Sequence, residues 1–591
     1  MRHLLILLCT FCFASTAVAA DALDTSDLAR IPVLHDGRVK PLDTFARHML
    51  TQIYGHGALP GQSADAWLAS VIFDPQGAAE APIFRVDDKT VRAWVDVPER
   101  SPALYSFREL AAHLEKSSAM MQKISALPPE QLTQSQHHLI ALYQTTSDFW
   151  ELSRSMTLVL PIKNTGKKTY LDLFRYRARM ALDAPKDPRA AVMFARLERI
   201  EREGQGSNIF RIIPPQWGSA DGAWLSPWAV LRGGEGSPAL AQFMQSWKGL
   251  ALAYQTNDAA NWENFSNHIR AQSITLAGGK IQAWQMEIEI LYSQLSPFTA
   301  AMILYGVSLL LSFATARLKD LKNSPRWVEF LPVTLCIAGW IFHSLGIAMR
   351  MLILMRPPVS NLYESILFVS WVVASACQVA AIRTRIGGAL SAAIPAALLL
   401  ASFGFAPLGD TLGVVVAVLN TDFWLATHVV CITSGYSMCL LTAGLAQVWL
   451  WNERAQQTDR AALFKLMHTF AIFSLLFTAV GTVLGGIWAD QSWGRFWGWD
   501  PKEDGALLIV LWLAWSLHGR VSAHFSQRGF AIALSALMIV VALSWLGVNL
   551  LGVGLHSYGF TNQAALGLGI FCAVEVLLIG WLGWCAKESH A

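Results

Sequence analysis

Charge is what this 591-residue chain has least of: Asp, Glu, Lys and Arg make up 15% of it, against 53% hydrophobic residues. With a mean hydropathy of +0.37, it is too apolar for a soluble globular protein. The scarcity is uneven. From Asp21 to about Ser296 the charge density is ordinary, and from Pro297 onward long apolar runs follow one another. A net charge of +3, with no basic run interleaved with aromatics, excludes a nucleic-acid partner. Cysteine is absent between residues 21 and 296, so that half forms no disulfide. Cys9 and Cys12 lie in a short apolar leader, and Cys336, Cys377, Cys431, Cys439, Cys572 and Cys585 fall in the later apolar runs. No CxxCH occurs, so the chain is not itself a c-type cytochrome. The string TGKKT at Thr165 to Thr169 lacks the upstream glycine of a phosphate loop, which removes a nucleotide motor.

What is present begins with the leader. MRHLLILLCTFCFASTAVAA sets Arg2 before a short apolar core and ends in Ala17-Val18-Ala19, the pattern of a signal peptide; an uncleaved N-terminal anchor over residues 1–20 is the alternative. Either way residues 21–296 form an exported, periplasmic domain. It reads as mostly helical, with helical composition at Ala190 to Glu203 and Ile281 to Leu295. The stretch from Ile31 to Leu50 moves from turn chemistry into an amphipathic helix.

Nine spans follow, at about Pro297 to Thr315, Val328 to Ala348, Leu362 to Ile382, Ala389 to Phe405, Ala426 to Trp451, Leu466 to Trp488, Gly505 to His518, Phe530 to Leu550 and Ala564 to Trp584. The expected fold is an all-α polytopic membrane protein of about nine transmembrane helices over residues 297–585, behind the exported domain. With that domain outside, the inner loops hold twelve Lys and Arg and the outer loops four, as the positive-inside bias requires. This places the protein in a bacterial inner membrane, in contact with lipid, with a cytoplasmic C-terminus. The four outer cations, Arg350, Arg356, Arg495 and Lys502, each lie beside a motif and suit an anionic ligand.

One outer loop stands apart. Residues 488–503 read WADQSWGRFWGWDPKE. Tryptophans at a membrane edge are either an interfacial anchor or a platform for a flat aromatic ligand. Here Trp493, Trp497 and Trp499 are interleaved with Gly494 and Gly498, which admit a ligand close to the backbone, and with Arg495, Asp500 and Lys502. Asp500 followed by Pro501 also fits a helix cap.

Histidines decide between the readings. His428 starts the fifth span and His556 follows the eighth, both on the tryptophan side. Two imidazoles and an aromatic wall suit a flat metal complex held from both axial faces, which describes haem. A bare zinc ion wants further ligands that this face does not supply. His518 lies roughly 20 Å below the outer end of its span at 1.5 Å per residue, and His343 sits at another depth, so the two do not clasp one haem. His468 and His524, at inner loop edges, read as ordinary polar residues.

The segment WGRFWGWDPKE between His428 and His556 resembles the tryptophan-rich domain of the CcsA/ResC family, the integral-membrane component of cytochrome c synthetase. HSLGIAMR at His343 to Arg350, PPVSNLYES at Pro357 to Ser365 and VNLLGVGLHSYGF at Val548 to Phe560 support it. The CcmC and CcmF families share the tryptophan motif, and the NLYES and GLHSYGF strings favour the CcsA kind. The resemblance covers about Pro297 to Trp584. It implies cytochrome c biogenesis: haem b, as transported ligand, is presented to apocytochrome c for thioether attachment at its CxxCH. It further implies that His428 and His556 are external axial ligands of the haem iron at the platform of Trp493, Trp497 and Trp499, and that His518 meets haem inside the membrane. For a haem held there, Arg350, Arg356, Arg495 and Lys502 are the candidate partners of its propionates, and Asp500 either orients a histidine or caps the helix that follows, the cap being favoured. No ResB-like four-span unit is found in the sequence, which implies a separate ResB/CcsB-like membrane partner. The rival readings are a haem exporter or chaperone without ligation activity and a membrane b-type electron-transfer subunit.

Overall fold

A computed structural model describes residues 23–128, 131–162, 168–181, 188–204, 207–215, 223–231, 238–278, 281–318, 327–381, 387–405, 411–414, 422–454, 460–548 and 562–585. The chain divides into two compact units, Met1–Ser293 with Leu408–Val414, and Gln294–Pro407 with Val415–Ala591.

The N-terminal unit is helical with two small antiparallel ribbons. Strands β1 (Pro32–His35) and β2 (Arg38–Pro41) pair with His35 opposite Arg38. The two-residue turn needs left-handed backbone, and Asp36 and Gly37 supply it with φ of 49° and 75°. β3 (Pro82–Arg85) pairs with β4 (Leu104–Ser106). The helices Phe107–Ser125 and Gln134–Ser155 each start on a capping box, Ser106 with Glu109 and Thr133 with Gln136, which satisfies amide donors at the first turn. Trp228, Trp247 and Trp262 are at most 1% exposed in one continuous apolar core. Arg38 holds the buried Glu289 with two bonds of 2.6 and 2.8 Å, tying the first hairpin to the helix Ala283–Leu295.

The membrane unit is an all-α bundle. Its helices are α1 (Pro297–Leu318), α2 (Trp327–Leu354), α3 (Leu362–Ala381), α4 (Gly387–Ser402), α5 (Val430–Arg454), α6 (Arg460–Trp493), α7 (Pro501–Val521), α8 (Gln527–Ser535), α9 (Leu537–Trp545) and α10 (Asn562–Cys585). Each expected span coincides with a helix, the eighth being broken at Ala536 into α8 and α9. Among the described residues, six segments are long and apolar enough to cross a membrane. The shorter α3 and α4 are apolar as well, and the first turn of α7 carries Lys502, Glu503 and Asp504. Large apolar side chains such as Leu310, Phe313 and Leu577 are exposed, as a lipid-facing surface requires. The 34 residues of α6 extend about 51 Å, well beyond a hydrocarbon core of about 30 Å, so the helix projects past it. Its last turns carry Trp488 and Trp493.

Candidate functional site

Alternating helices bring the N-terminal ends of α3 and α7, the approach to α5, and the C-terminal ends of α6 and α9 to one end of the bundle. There they line a cavity whose empty space, the solvent at its open mouth included, is about 1070 Å³. His428, Trp488, Trp493, Trp497, Lys502 and Trp545 line it, with Tyr436, Thr433 and Thr482 adding hydroxyls.

His428 stands on a single π-helical turn, Leu425–Val429, directly before α5. Such turns re-aim a side chain from a regular helix and are frequent at functional sites. Its Nδ1 lies 2.8 Å from the carbonyl oxygen of Gly481, which only accepts. Nδ1 therefore carries the proton and Nε2 the lone pair, the tautomer in which an imidazole serves as a metal ligand. Space for the ring comes from α6. A Cβ added at Gly485 would stand 2.7 Å from His428 Cε1, and one at Gly481 2.9 Å from Ile432 Cα. The Trp488 ring meets His428 edge-on at 5.7 Å, and Trp424 stacks on Trp488 at 6.4 Å with an interplanar angle of 11°.

The tryptophan wall is pinned by the start of α7. Asp500 caps the helix and Glu503, three residues in, closes a capping box with it. The same Glu503 carboxylate accepts from the Gly498 amide at 2.7 Å and from Arg495 at 3.4 Å. Lys502 donates to the Trp545 carbonyl at 2.7 Å, joining this wall to the end of α9.

The opposite wall is the loop Val359–Asn361 with the first turn of α3. Beneath it Arg350 and Glu364 form a fully buried pair with a bond of 2.7 Å, and Arg356 lies 3.9 Å from the same carboxylate.

The expected residues are thus distributed unevenly. His428, Trp493, Trp497 and Lys502 share the cavity. Trp499 is 72% exposed and does not line it. Asp500 is buried as a cap, Arg495 is engaged with Glu503, and Arg350 with Glu364, behind the wall. His518 is exposed near the other end of α7, its Nδ1 donating to the Ala514 carbonyl at 2.7 Å. His343 is enclosed by Phe298 and Tyr305, with Nε2 donating to the Leu367 carbonyl at 3.0 Å. His556 lies outside the described residues.

Sequence reasoning missed Trp545, Tyr436 and the loop at Ser360. Trp545 was legible only as one more aromatic at the end of a span. In the N-terminal unit a second cluster, His35, Asp36 and His48, brings its ligand atoms within 4.8 Å of one another. The Lys40 ammonium stands 3.5 Å from His35 Nδ1, beside the carboxylate, and opposes a second cation there.

Fold and site together define a multi-pass membrane protein whose all-helical membrane unit carries a histidine- and tryptophan-lined cavity at one end of its bundle. The comparisons agree with that class. The family model described as cytochrome C assembly protein matches residues 359–556, a stretch that begins in the loop wall of the cavity and ends at His556. Cytochrome c biogenesis protein CcsA of Prochlorococcus marinus (strain MIT 9313) is 33% identical over 250 residues, covering 35% of this chain and 77% of that protein. CcsA of Guillardia theta is 32% identical over 237 residues, with 35% and 77% covered. Protein NrfI of Wolinella succinogenes is 25% identical over 542 residues, or 88% of this chain, which spans about half of that protein, 53%. The chain belongs to the CcsA family of cytochrome c biogenesis proteins.

Proposed function

We propose that the chain binds haem b in the cavity at the tryptophan end of the bundle and presents it for covalent attachment to apocytochrome c. The observation that carries this is the His428 ring, which lines a tryptophan-walled cavity and whose Nδ1 proton is donated to the Gly481 carbonyl, the tautomer that puts the lone pair on Nε2. Trp488, Trp493, Trp497 and Trp545 offer flat apolar area for the macrocycle. Of the four cations expected to meet propionates, Lys502 is the one that lines the cavity, so it is their partner in this reading. His556 is the second axial ligand, by its place in the GLHSYGF string.

In the reaction each thiol of the CxxCH adds across one haem vinyl group. Sulfur bonds one vinyl carbon, the thiol hydrogen ends on the other, and no electron is gained or lost. The work of the site is positioning: a ring fixed by stacking and axial bonds holds its vinyl edges towards the incoming chain.

The tryptophan end faces the periplasm in this account. The excess of Lys and Arg in the opposite loops supports that orientation. His518 stands about 24 Å along α7 from Lys502, on an exposed stripe with Leu508, Leu511 and Trp515. We assign this stripe to a ResB/CcsB-like membrane partner that completes an intramembrane haem site.

The test is the full chain carrying His428→Ala or His556→Ala, scored for holocytochrome c and for copurifying haem. Loss of both supports the synthetase reading. Haem loss with normal holocytochrome c contradicts it. Normal haem in both variants overturns the site.

A further inference from the structure

The cavity is held from two sides by the same device. Glu503 is the third residue of α7, and it reaches back to the amides of Gly498 and Asp500 to pin the tryptophan wall. Glu364 is the third residue of α3, and it reaches back to the loop that forms the facing wall. Its own amide donates to the Asn361 side chain at 2.8 Å, so Asn361 caps α3. One carboxylate oxygen then accepts from the Ser360 amide at 3.0 Å and from the Ser360 hydroxyl. The other takes the Arg350 guanidinium from α2.

We propose that Glu364 is a positioning residue for the bound haem: it locks the loop Val359–Asn361 at one distance from the tryptophan wall and so sets the width of the cavity. The inference rests on the haem-binding reading above. Burying an Arg–Glu pair in an apolar bundle costs desolvation that a pair of apolar residues would avoid, so the pair is poor evidence for stability alone. What it supplies is geometry. Glu364 and Arg350 are 0% exposed and outside the cavity, while Ser360, gripped by the same carboxylate, lines it. The lock therefore acts on the ligand only through the loop, and the helix dipole at the start of α3 favours the negative charge that works it.

Three variants of the full chain in detergent test this: Glu364→Gln; Arg350→Met with Glu364→Gln, which removes both members of the fully buried pair; and Ser360→Ala, which frees one loop contact and keeps the ion pair. The readouts are haem per chain, the Soret and visible bands of the bound haem, and thermal stability. We expect haem occupancy to fall about tenfold in the first two and two- to threefold in Ser360→Ala, with shifted bands in the haem that remains. Arg350→Met with Glu364→Gln keeps a folded bundle. Variants that lose stability but hold wild-type haem with unchanged bands overturn the proposal, since that is what a purely structural pair would do. If Glu364→Gln fails to fold, Ser360→Ala decides alone, on the same criterion. Haem that depends on His428 but not on Glu364 or Ser360 sinks only this inference. Haem indifferent to His428 sinks the site itself.

Discussion

In the N-terminal unit Trp228, Trp247 and Trp262 are packed to 1% exposure or less, and the indoles of Trp228 and Trp262 donate to backbone carbonyls of Arg154 and Asp24. In the membrane unit Trp488, Trp493, Trp497 and Trp545 stand around an open volume of about 1070 Å³. The residue type is the same and the surroundings differ. A core closes on its tryptophans, because an indole contributes its full apolar area only when nothing is left empty beside it. A wall of indoles that leaves a space, next to an imidazole with a fixed tautomer, is built for something to enter. Composition alone does not separate the two cases, since both units are rich in tryptophan.

The comparison breaks most readily at His428. Replacing it with alanine should lower bound haem by about 100-fold or more, since even outer-shell partners of metal ligands cost 10–100-fold, while thermal unfolding of the N-terminal unit stays unchanged. The converse is Trp262→Ala, expected to destabilise the N-terminal unit by about 3–5 kcal/mol and to leave the bands of bound haem as they are. Denaturant titration alongside the visible spectrum scores both. If Trp493→Ala behaved like Trp262→Ala, costing stability and no haem, the distinction drawn here would fail.

A smaller effect is expected at Gly485→Ala. The added methyl must displace the His428 ring that it meets at 2.7 Å, at a cost of about 1–3 kcal/mol, read as a loss of haem of roughly 5- to 150-fold with the bundle intact. Smallest is a pH effect confined to the N-terminal unit. Burial pushes the Asp88 carboxyl up, but hydrogen bonds from His138, Ser135 and the amides of Thr90 and Val91 outweigh it and hold the group at about 2. A folded value below the unfolded one contributes stability above about pH 4 and loses it as pH falls through 2. Asp88→Asn should flatten that part of the acid-unfolding curve and cost less than about 1 kcal/mol at neutral pH, since asparagine caps nearly as well. An unchanged curve would remove Asp88 from the account.

The bundle was legible in the sequence because apolar runs near the bilayer's length have few alternatives, and each of the nine runs became helix. The membrane half of the site was legible in part, through the chemistry that tryptophan, glycine and histidine share in residues 488–503 and at His428. The rest was not, for a physical reason. Arg350 looked like an outer cation kept for a ligand, and only three-dimensional packing supplies Glu364, fourteen residues away, as its partner. Trp499 matches Trp493 and Trp497 in sequence, yet a left-handed backbone at φ 56° goes with a side chain that is 72% exposed. Spacing along a loop does not reveal which side chains turn inward.

The central claim is that the His428 imidazole is a ligand to haem in the tryptophan-lined cavity. The most direct measurement is the visible spectrum of the purified full chain as wild type and as His428→Gly, with and without added imidazole. Wild type should carry haem with bands of two imidazole ligands. His428→Gly should lose them, and free imidazole entering the vacated space should restore them. A His428→Gly protein that keeps the wild-type spectrum without imidazole would contradict the account.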